Sequence, residues 1–560
     1  MVAQLRRKLR LLSLPHVARS HLVSNDRYRW FAVGDINAFF GLMLDNVAGL
    51  ILVVSLLAGV FQFPAEFAVQ AMVPGTAIGV FVGDLMFFAL AFWLAKRTRR
   101  SDVTAMPLGL DTPSTFGMVF FVLGPAFIDG KVRLGLDEME AARFAWHIGI
   151  WAIVMSGLFK VVCSPVSGWI RRSVPRAGLL GSLAAIALVL ISFLPLLDIL
   201  KTPLVGLVAL AIVLTSLIGR VPLPLRVPGT LGALIVAGGM FYVLRAFGVE
   251  GYVASGEHSI TPTMFPSMWL EAFEFQWLDR FSEAMKYMPI VLPFAIGTVV
   301  GGIDCTESAA AAGDEYPTGT VIFVEAIATL AAGLCGGVVQ TTPYIGHPAY
   351  KQMGGRSAYT LATALLIGTA GVGGYFVYFY QIIPEAAVFP ILIFVGLEIT
   401  AQSFSATPTR HYAAVALACV PALAFLANSF PSQIFGDPAY SIEGLGDPGL
   451  RDKLQTLLIL SNGFILTSLL WASALASIID QRLRRAGGLF LLCGLLTVFG
   501  VIHSPVPGSP LYWPWSAEAA MVRQFALGYA VTGLLLVAWS YWLSAIGAPS
   551  DSRAEEVESE

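Results

Sequence analysis

Charge is what this sequence has least of. Only 12% of its 560 residues are Asp, Glu, Lys or Arg, while 56% are hydrophobic and the mean hydropathy is +0.75. A chain so composed cannot be packed as an ordinary water-soluble domain, so a polytopic membrane protein is implied. The net charge of −2 leaves no basic excess for binding nucleic acid. Cysteine is also scarce. Cys163, Cys305, Cys335, Cys419 and Cys493 lie in or at the ends of apolar runs with no metal-ligand spacing, which argues against a disulfide framework or a zinc site and for small buried hydrophobes. No H-E-x-x-H spacing and no nucleotide-binding motif occurs, so neither a zinc hydrolase nor a nucleotide-driven pump is suggested. Residues 1–30 contain RRKLR but no cleavage-site pattern after a short apolar core, and are expected to form a cytoplasmic basic arm.

What the sequence has instead is apolar stretches of spanning length, about 17 to 25 residues each. Seven fall near 35–62, 70–95, 104–128, 145–163, 176–199, 202–219 and 228–247. After a polar interval, seven more fall near 287–312, 319–339, 341–353, 357–381, 384–404, 411–429 and 454–478, with two further ones near 487–503 and 522–546. Basic clusters follow even-numbered segments (Lys96, Arg97, Arg99 and Arg100; Arg171, Arg172 and Arg176; Arg220 and Arg226; Arg482, Arg484 and Arg485), which predicts cytoplasmic termini. An odd number of segments per half makes the second half enter the membrane in the opposite sense. The expected fold is therefore an all-α polytopic membrane protein: a seven-plus-seven transmembrane inverted repeat with two extra C-terminal helices. The expected divisions are the arm at 1–30, repeats at 31–247 and 287–480, an extracytoplasmic loop at 248–286, and two helices with an acidic tail at 481–560. Within the loop, SMWLEAFEFQWLDRF with Trp269 and Trp277 reads as an amphipathic interfacial helix, and Trp513 and Trp515 read as interfacial anchors.

The stretch 287–356 carries groups a bilayer rejects. Asp304, Glu307 and Glu325 sit in apolar runs, where a charge costs about 2.5 to 3.5 kcal/mol even on the lenient insertion scale. Pro343, Gly346 and Pro348 interrupt segment 10, as Pro107, Gly109 and Pro113 interrupt segment 3 beside Asp111. Each break predicts a short extended piece leading into a half-helix, with the two positive half-helix ends facing each other at mid-membrane. Such a site suits an anionic or hydrogen-bond-accepting ligand. The plainer alternative is that these prolines kink lipid-facing helices.

The string EAIATLAAGLCGGVVQTTPYIGHPAYKQMGGR resembles the ninth and tenth segments of the nucleobase-cation symporter-2 family, nearer its hypoxanthine/adenine/guanine permease branch, and IIPEAAVFPILIFVGLEI resembles the twelfth. The resemblance implies a core of segments 1–4 and 8–11 that holds substrate and a gate of segments 5–7 and 12–14. It also implies a segment 8 carboxylate that hydrogen-bonds a nucleobase, matched here by Asp304. The family's segment 10 carboxylate falls at Gly346, followed by His347, and the Q-N-x-G signature of the nucleobase and ascorbate branch is missing.

The expected substrate-binding residues are Asp304, Glu307, Tyr344, Gly346, His347, Asp111 and Thr112, with Asp304, Glu307, His347 and Asp45 as proton-coupling groups. Asp304 and Glu307 are three apart on one helical face, His347 titrates in the physiological range, and Asp45 occupies a place in segment 1 like that of Asp304 in segment 8. Each has a structural alternative: a satisfied helix-interface residue for Asp304, a helix end for Glu307, a bond to a freed carbonyl for His347. Glu325 reads as packing or a helix-to-helix hydrogen bond. The expected activity is secondary-active, proton-coupled uptake of a nucleobase or similar small heterocycle across the inner membrane, without cofactor, metal or nucleic acid. A homodimer is left open. An anion or carboxylate carrier of the same architecture is the alternative, and a membrane enzyme built on Asp304, Glu307 and His347 a more remote one.

Overall fold

The long helices follow from apolar runs closed by polar, proline or glycine turns. In this computed structural model residues 28–173, 175–224, 227–249, 251–252, 264–344, 346–435, 444–505 and 520–546 are described. The basic arm, Trp513, Trp515 and the acidic tail lie outside them. The helices are α1 (Gly34–Phe61), α2 (Ala65–Thr98), α3 (Thr112–Val132), α4 (Glu138–Ser173), α5 (Arg176–Ile199), α6 (Pro203–Ile218) and α7 (Gly229–Ala246). The second series is α8 (Met288–Ala311), α9 (Thr318–Leu334), α10 (His347–Gln352), α11 (Ala358–Val372), α12 (Glu385–Ser405), α13 (Tyr412–Phe435) and α14, which comprises Pro448–Ser461 and Phe464–Ile479. Helices α15 (Leu483–Val498) and α16 (Ala520–Ala545) follow. Among the described residues nine helices are long and apolar enough to cross a membrane, and two bent pairs also qualify, with bends of 93° after α11 and 79° within α14. The chain is an all-α polytopic membrane protein.

The packing repeats itself under a shift of seven. Helix α11 lies on α2 as α4 lies on α9, α6 lies on α12 as α13 lies on α5, and α7 lies on α12 as α14 lies on α5. Each statement becomes its counterpart when seven is added to one half and subtracted from the other, which is the signature of two equivalent halves. Helices α15 and α16 form a hairpin against α14.

Both expected breaks are present, and they meet. Strand β1 (Leu108–Leu110) pairs antiparallel with β2 (Thr341–Pro343), Leu108 opposite Pro343 and Leu110 opposite Thr341. Two further bonds extend the pairing, from Asp111 N–H to Gln340 O at 2.9 Å and from Tyr344 N–H to Pro107 O at 2.7 Å. A two-stranded sheet inside a membrane has open edges that must be satisfied by protein. Here Leu108 N–H donates to Asp84 Oδ1 at 3.2 Å, Asn46 Nδ2 donates to Leu108 O at 3.4 Å, Cys305 Sγ–H donates to Pro343 O at 3.2 Å, and Lys160 Nζ donates to Thr341 O at 3.1 Å. The buried polar residues of α1, α2, α4 and α8 are thus where the sheet needs them. Asn46 and Cys305 each directly follow an aspartate, Asp45 and Asp304, and each binds its own half's strand.

The loop before α8 departs from expectation. Instead of one amphipathic helix it forms 3₁₀ runs at Met268–Glu274 and Gln276–Arg280, split where Phe275 takes φ 56°, and a short helix at Phe281–Met285. It is tied down rather than lying free at an interface. Trp269 Nε1 donates to Cys335 O at 2.6 Å, Trp151 Nε1 donates to Trp277 O at 2.7 Å, and Arg143 pairs with Glu271 at 2.6 Å. Gly336, at φ 86°, lets the chain turn from α9 toward β2. A Cβ there would lie 2.9 Å from both Ala272 and the Trp146 ring.

Candidate functional site

A cavity of about 350 Å³ lies where the crossed strands meet α1, α3, α5, α8 and α12. Its polar wall is Asp45 from α1, Asp111 and Thr112 from the start of α3, Thr298, Asp304 and Ser308 from α8, Thr342 and Tyr344 from the second break, and Gln402, Ser403 and Ser405 from α12. No lysine, arginine or histidine lines it among the described residues. Leu180 and Leu183 of α5 and Val395 and Ile399 of α12 form the apolar side. The lining residues of α8 (Gly297, Thr298, Gly301, Asp304, Cys305 and Ser308) recur every three to four positions, so one helical face supplies them all.

Local sequence explains the positions. Asp111 caps α3, its Oδ2 accepting the Ser114 N–H at 2.8 Å, and Pro113 sits in the first turn where a missing N–H is harmless. That cap fixes the start of α3 against the cavity. Asp45 reaches over Gly109, where a Cβ would sit 3.3 Å from its Oδ2, so the bare glycine leaves room for the carboxylate.

The cavity's two ends differ. One reaches the ends of α8 and α12, where Ser405 is exposed. At the other end a phenylalanine cluster joins α3 and α8 to α13 and α14: Phe121 lies 4.6 Å from Phe425, Phe425 stacks on Phe464 at 4.9 Å, and Phe294 lies 6.3 Å from Phe121.

Five of the expected residues therefore meet at the cavity: Asp45, Asp111, Thr112, Asp304 and Tyr344. Glu307 lies on α8, but its side chain is outside the described residues. His347 and Gly346 do not line the cavity. Buried His347 bonds Asp314 Oδ2 through Nε2 at 3.1 Å, away from the cavity. Gly346 caps α10, and a Cβ there would run into the Tyr344 ring, so it supports the wall without forming it. Helix α10 has only six residues and begins four positions after β2, so a second half-helix end does not face the first.

Asp314 organises the turn between α8 and α9. It also pairs with Lys351 Nζ at 2.6 Å and Arg100 at 3.2 Å, and accepts the Thr104 N–H at 3.1 Å. Burial pushes its carboxyl up, but the bonds to His347 and Lys351 outweigh this and hold it below the ordinary carboxylate range. The sequence reading passed over Lys160, Asn46, Asp84 and the α12 hydroxyls. Lys160, a lone base in the apolar run GLFKVVC, is the kind of signal that singled out the acids. It shows Glu325 as more than packing, because the two form an ion pair at 2.8 Å with neither side chain exposed.

No protein-family model matches this sequence, and no curated protein does. Among solved structures, the chain is similar to the transmembrane domain of a cyanobacterium bicarbonate transporter, BicA, at 16% identity and TM-score 0.38, covering 80% of this chain and 100% of that one. It is also similar to SLC26A9 at 12% identity and TM-score 0.46, covering 77% of this chain and 66% of that one. Murine Slc26a9, an anion transporter in the inward-facing state, is similar at 12% identity and TM-score 0.35, covering 87% and 71%. All three scores lie below 0.5.

Proposed function

We propose that this chain is a secondary-active permease that moves a small hydrogen-bonding heterocycle of nucleobase size, coupled to protons, as the resemblance to the nucleobase-cation symporter-2 family implies. The observation that supports it is the cavity: a small-molecule volume, within the range of about 300 to 1,000 Å³ usual for such sites, set on a main-chain break and walled by Asp45, Asp111 and Asp304. A nucleobase offers ring N–H donors to carboxylates and ring acceptors to the hydroxyls of Thr112, Ser308, Ser403 and Ser405. The Tyr344 ring and the α5 and α12 side chains suit its flat faces. A carboxylate also binds cargo and exchanges a proton at one position, which is what coupling requires.

The anion reading rests on two facing helix ends and on the missing segment 10 carboxylate. One end reaches the cavity, its cap is an aspartate, and no cation lines the wall, so the acids favour a hydrogen-bond-donating cargo. The enzyme reading loses its histidine, since His347 is bonded to Asp314.

The test is uptake of labelled hypoxanthine and uracil into proteoliposomes under an inward proton gradient, with a sodium gradient and labelled bicarbonate as comparison arms. Acid-driven accumulation of a nucleobase is expected. In Asp304→Asn, which keeps the shape but cannot ionise, accumulation is expected to fail while counterflow exchange continues. Bicarbonate uptake without nucleobase uptake would overturn the proposal in favour of the anion carrier, and an unchanged proton-driven gradient in Asp304→Asn would move coupling off that residue.

A further inference from the structure

The strongest unassigned feature is one layer behind the cavity. Lys160 of α4 is the one lysine or arginine that is fully buried among the described residues. Its ammonium has three donors, and three partners surround it: Glu325 Oε1 of α9 at 2.8 Å, Thr341 O of β2 at 3.1 Å and Thr329 Oγ1 of α9 at 3.3 Å. Thr341 pairs with Leu110, the residue just before Asp111, so Lys160 holds the end of the sheet from which the α3 cap emerges. Glu325 lies against α8 at Gly302, where a Cβ would sit 2.5 Å from its Oε2, at the flank of the face that carries Gly301 and Asp304 into the cavity.

We propose that Lys160 is a charge-balancing and positioning residue of the transport site: it keeps Glu325 as a fixed ion pair and pins Thr341 of β2, leaving proton exchange to the acids on the cavity wall, Asp45 and Asp304. The proposal rests on the permease reading for its functional half. Its physical half stands on geometry alone. The cation at 2.8 Å balances the charge of Glu325 one layer away from the cargo, whereas an acid on the cavity wall meets water, cargo and proton in turn. Lys160 also bonds the strand through a main-chain carbonyl, so its role in aligning β2 survives any change of side chain at position 341.

Three full-length variants test this: Lys160→Met, Glu325→Gln and the double Lys160→Met/Glu325→Gln. Removing one partner of a buried pair strands the other, while removing both can be nearly neutral. Lys160→Met then folds only with a proton on Glu325, so its unfolding midpoint in detergent should fall as pH rises through neutrality. The double variant should regain most of the midpoint and lose that slope. A single variant too unstable to purify beside a purifiable double variant is the same result. A Lys160→Met midpoint that follows the parent at every pH, or a double variant as unstable as Lys160→Met, overturns the pairing role. In proteoliposomes, the double variant, which also loses the bond to Thr341 O, should take up hypoxanthine or uracil more slowly than the parent while its acid stimulation keeps the parent's pH midpoint. Uptake that persists without any pH response would place the exchanging proton on Glu325 and overturn the assignment to the cavity wall. If the parent takes up neither nucleobase, the permease reading fails, and the stability slopes alone decide the role of Lys160.

Discussion

The two broken segments use the same strand for different ends. After β1 the chain reads Asp111-Thr112-Pro113, an aspartate cap and a first-turn proline, and a 21-residue helix long enough to cross a membrane starts at the cavity. After β2 it reads Tyr344, then Gly346-His347-Pro348, and the helix lasts six residues. Its histidine and lysine are spent on Asp314 instead. Equivalent positions in two halves therefore share backbone geometry while diverging in chemistry: both strands give residues to the cavity wall, but the first leads into a capped spanning helix and the second into a clasp on the turn after α8.

The clasp should be the more sensitive of the two. Asp314→Ala removes a fully buried carboxylate that Arg100, Lys351 and buried His347 share, and a loss of about 3 kcal/mol of stability is expected. An unfolding midpoint within a degree of the parent would show that the clasp contributes nothing. Its pH signature has a definite sign. Because the folded carboxyl is held below its ordinary value, its contribution is fully present above that value and is lost as pH falls through the folded one. Acidification below about pH 4 should thus destabilise the parent more than Asp314→Asn, and parallel curves for the two would remove Asp314 from the account.

At the second break itself, Gly346→Leu must displace the Tyr344 ring. An overpacking cost of about 1 to 3 kcal/mol is expected, with weaker nucleobase uptake because Tyr344 lines the cavity. Parent-like stability and uptake would mean that the ring has somewhere to go. The smallest effect belongs to the first break. Asp111→Ala removes the Ser114 cap and should cost about 1 kcal/mol, while Asp111→Asn, which still caps, should cost only a fraction of that. Equal losses in the two would show that charge, not capping, is what matters at this position.

Much of this arrangement is legible in the sequence, for physical reasons. Single prolines such as Pro390 and Pro421 sit inside helices, but the clusters Pro107, Gly109, Pro113 and Pro343, Gly346, Pro348 interrupt the helical pattern, so both breaks can be read, and acids at bilayer depth must face protein or water, so Asp45, Asp111 and Asp304 can be read. His347 could not be placed, because its partner Asp314 lies in a loop 33 residues away and nothing local shows the pairing. The length of α10 was equally hidden, since the turn after β2 lacks the cap that makes α3 obvious. Lys160 was open to the same argument as the acids: a lone cation in an apolar helix needs a partner, and Glu325 in α9 was the acid left without one.

The phenylalanine cluster gives the cavity's closed end a character of its own. Phe121, Phe294, Phe425 and Phe464 meet through ring faces and edges, so parting them breaks no ion pair and costs only the apolar area newly wetted. Asp314 and its cations on the turn after α8 are held by charge, which salt weakens where water reaches them. The two clusters thus answer to different variables: ionic strength tunes the clasp and leaves the rings alone, while temperature, through the heat-capacity signature of wetting apolar surface, tunes the rings.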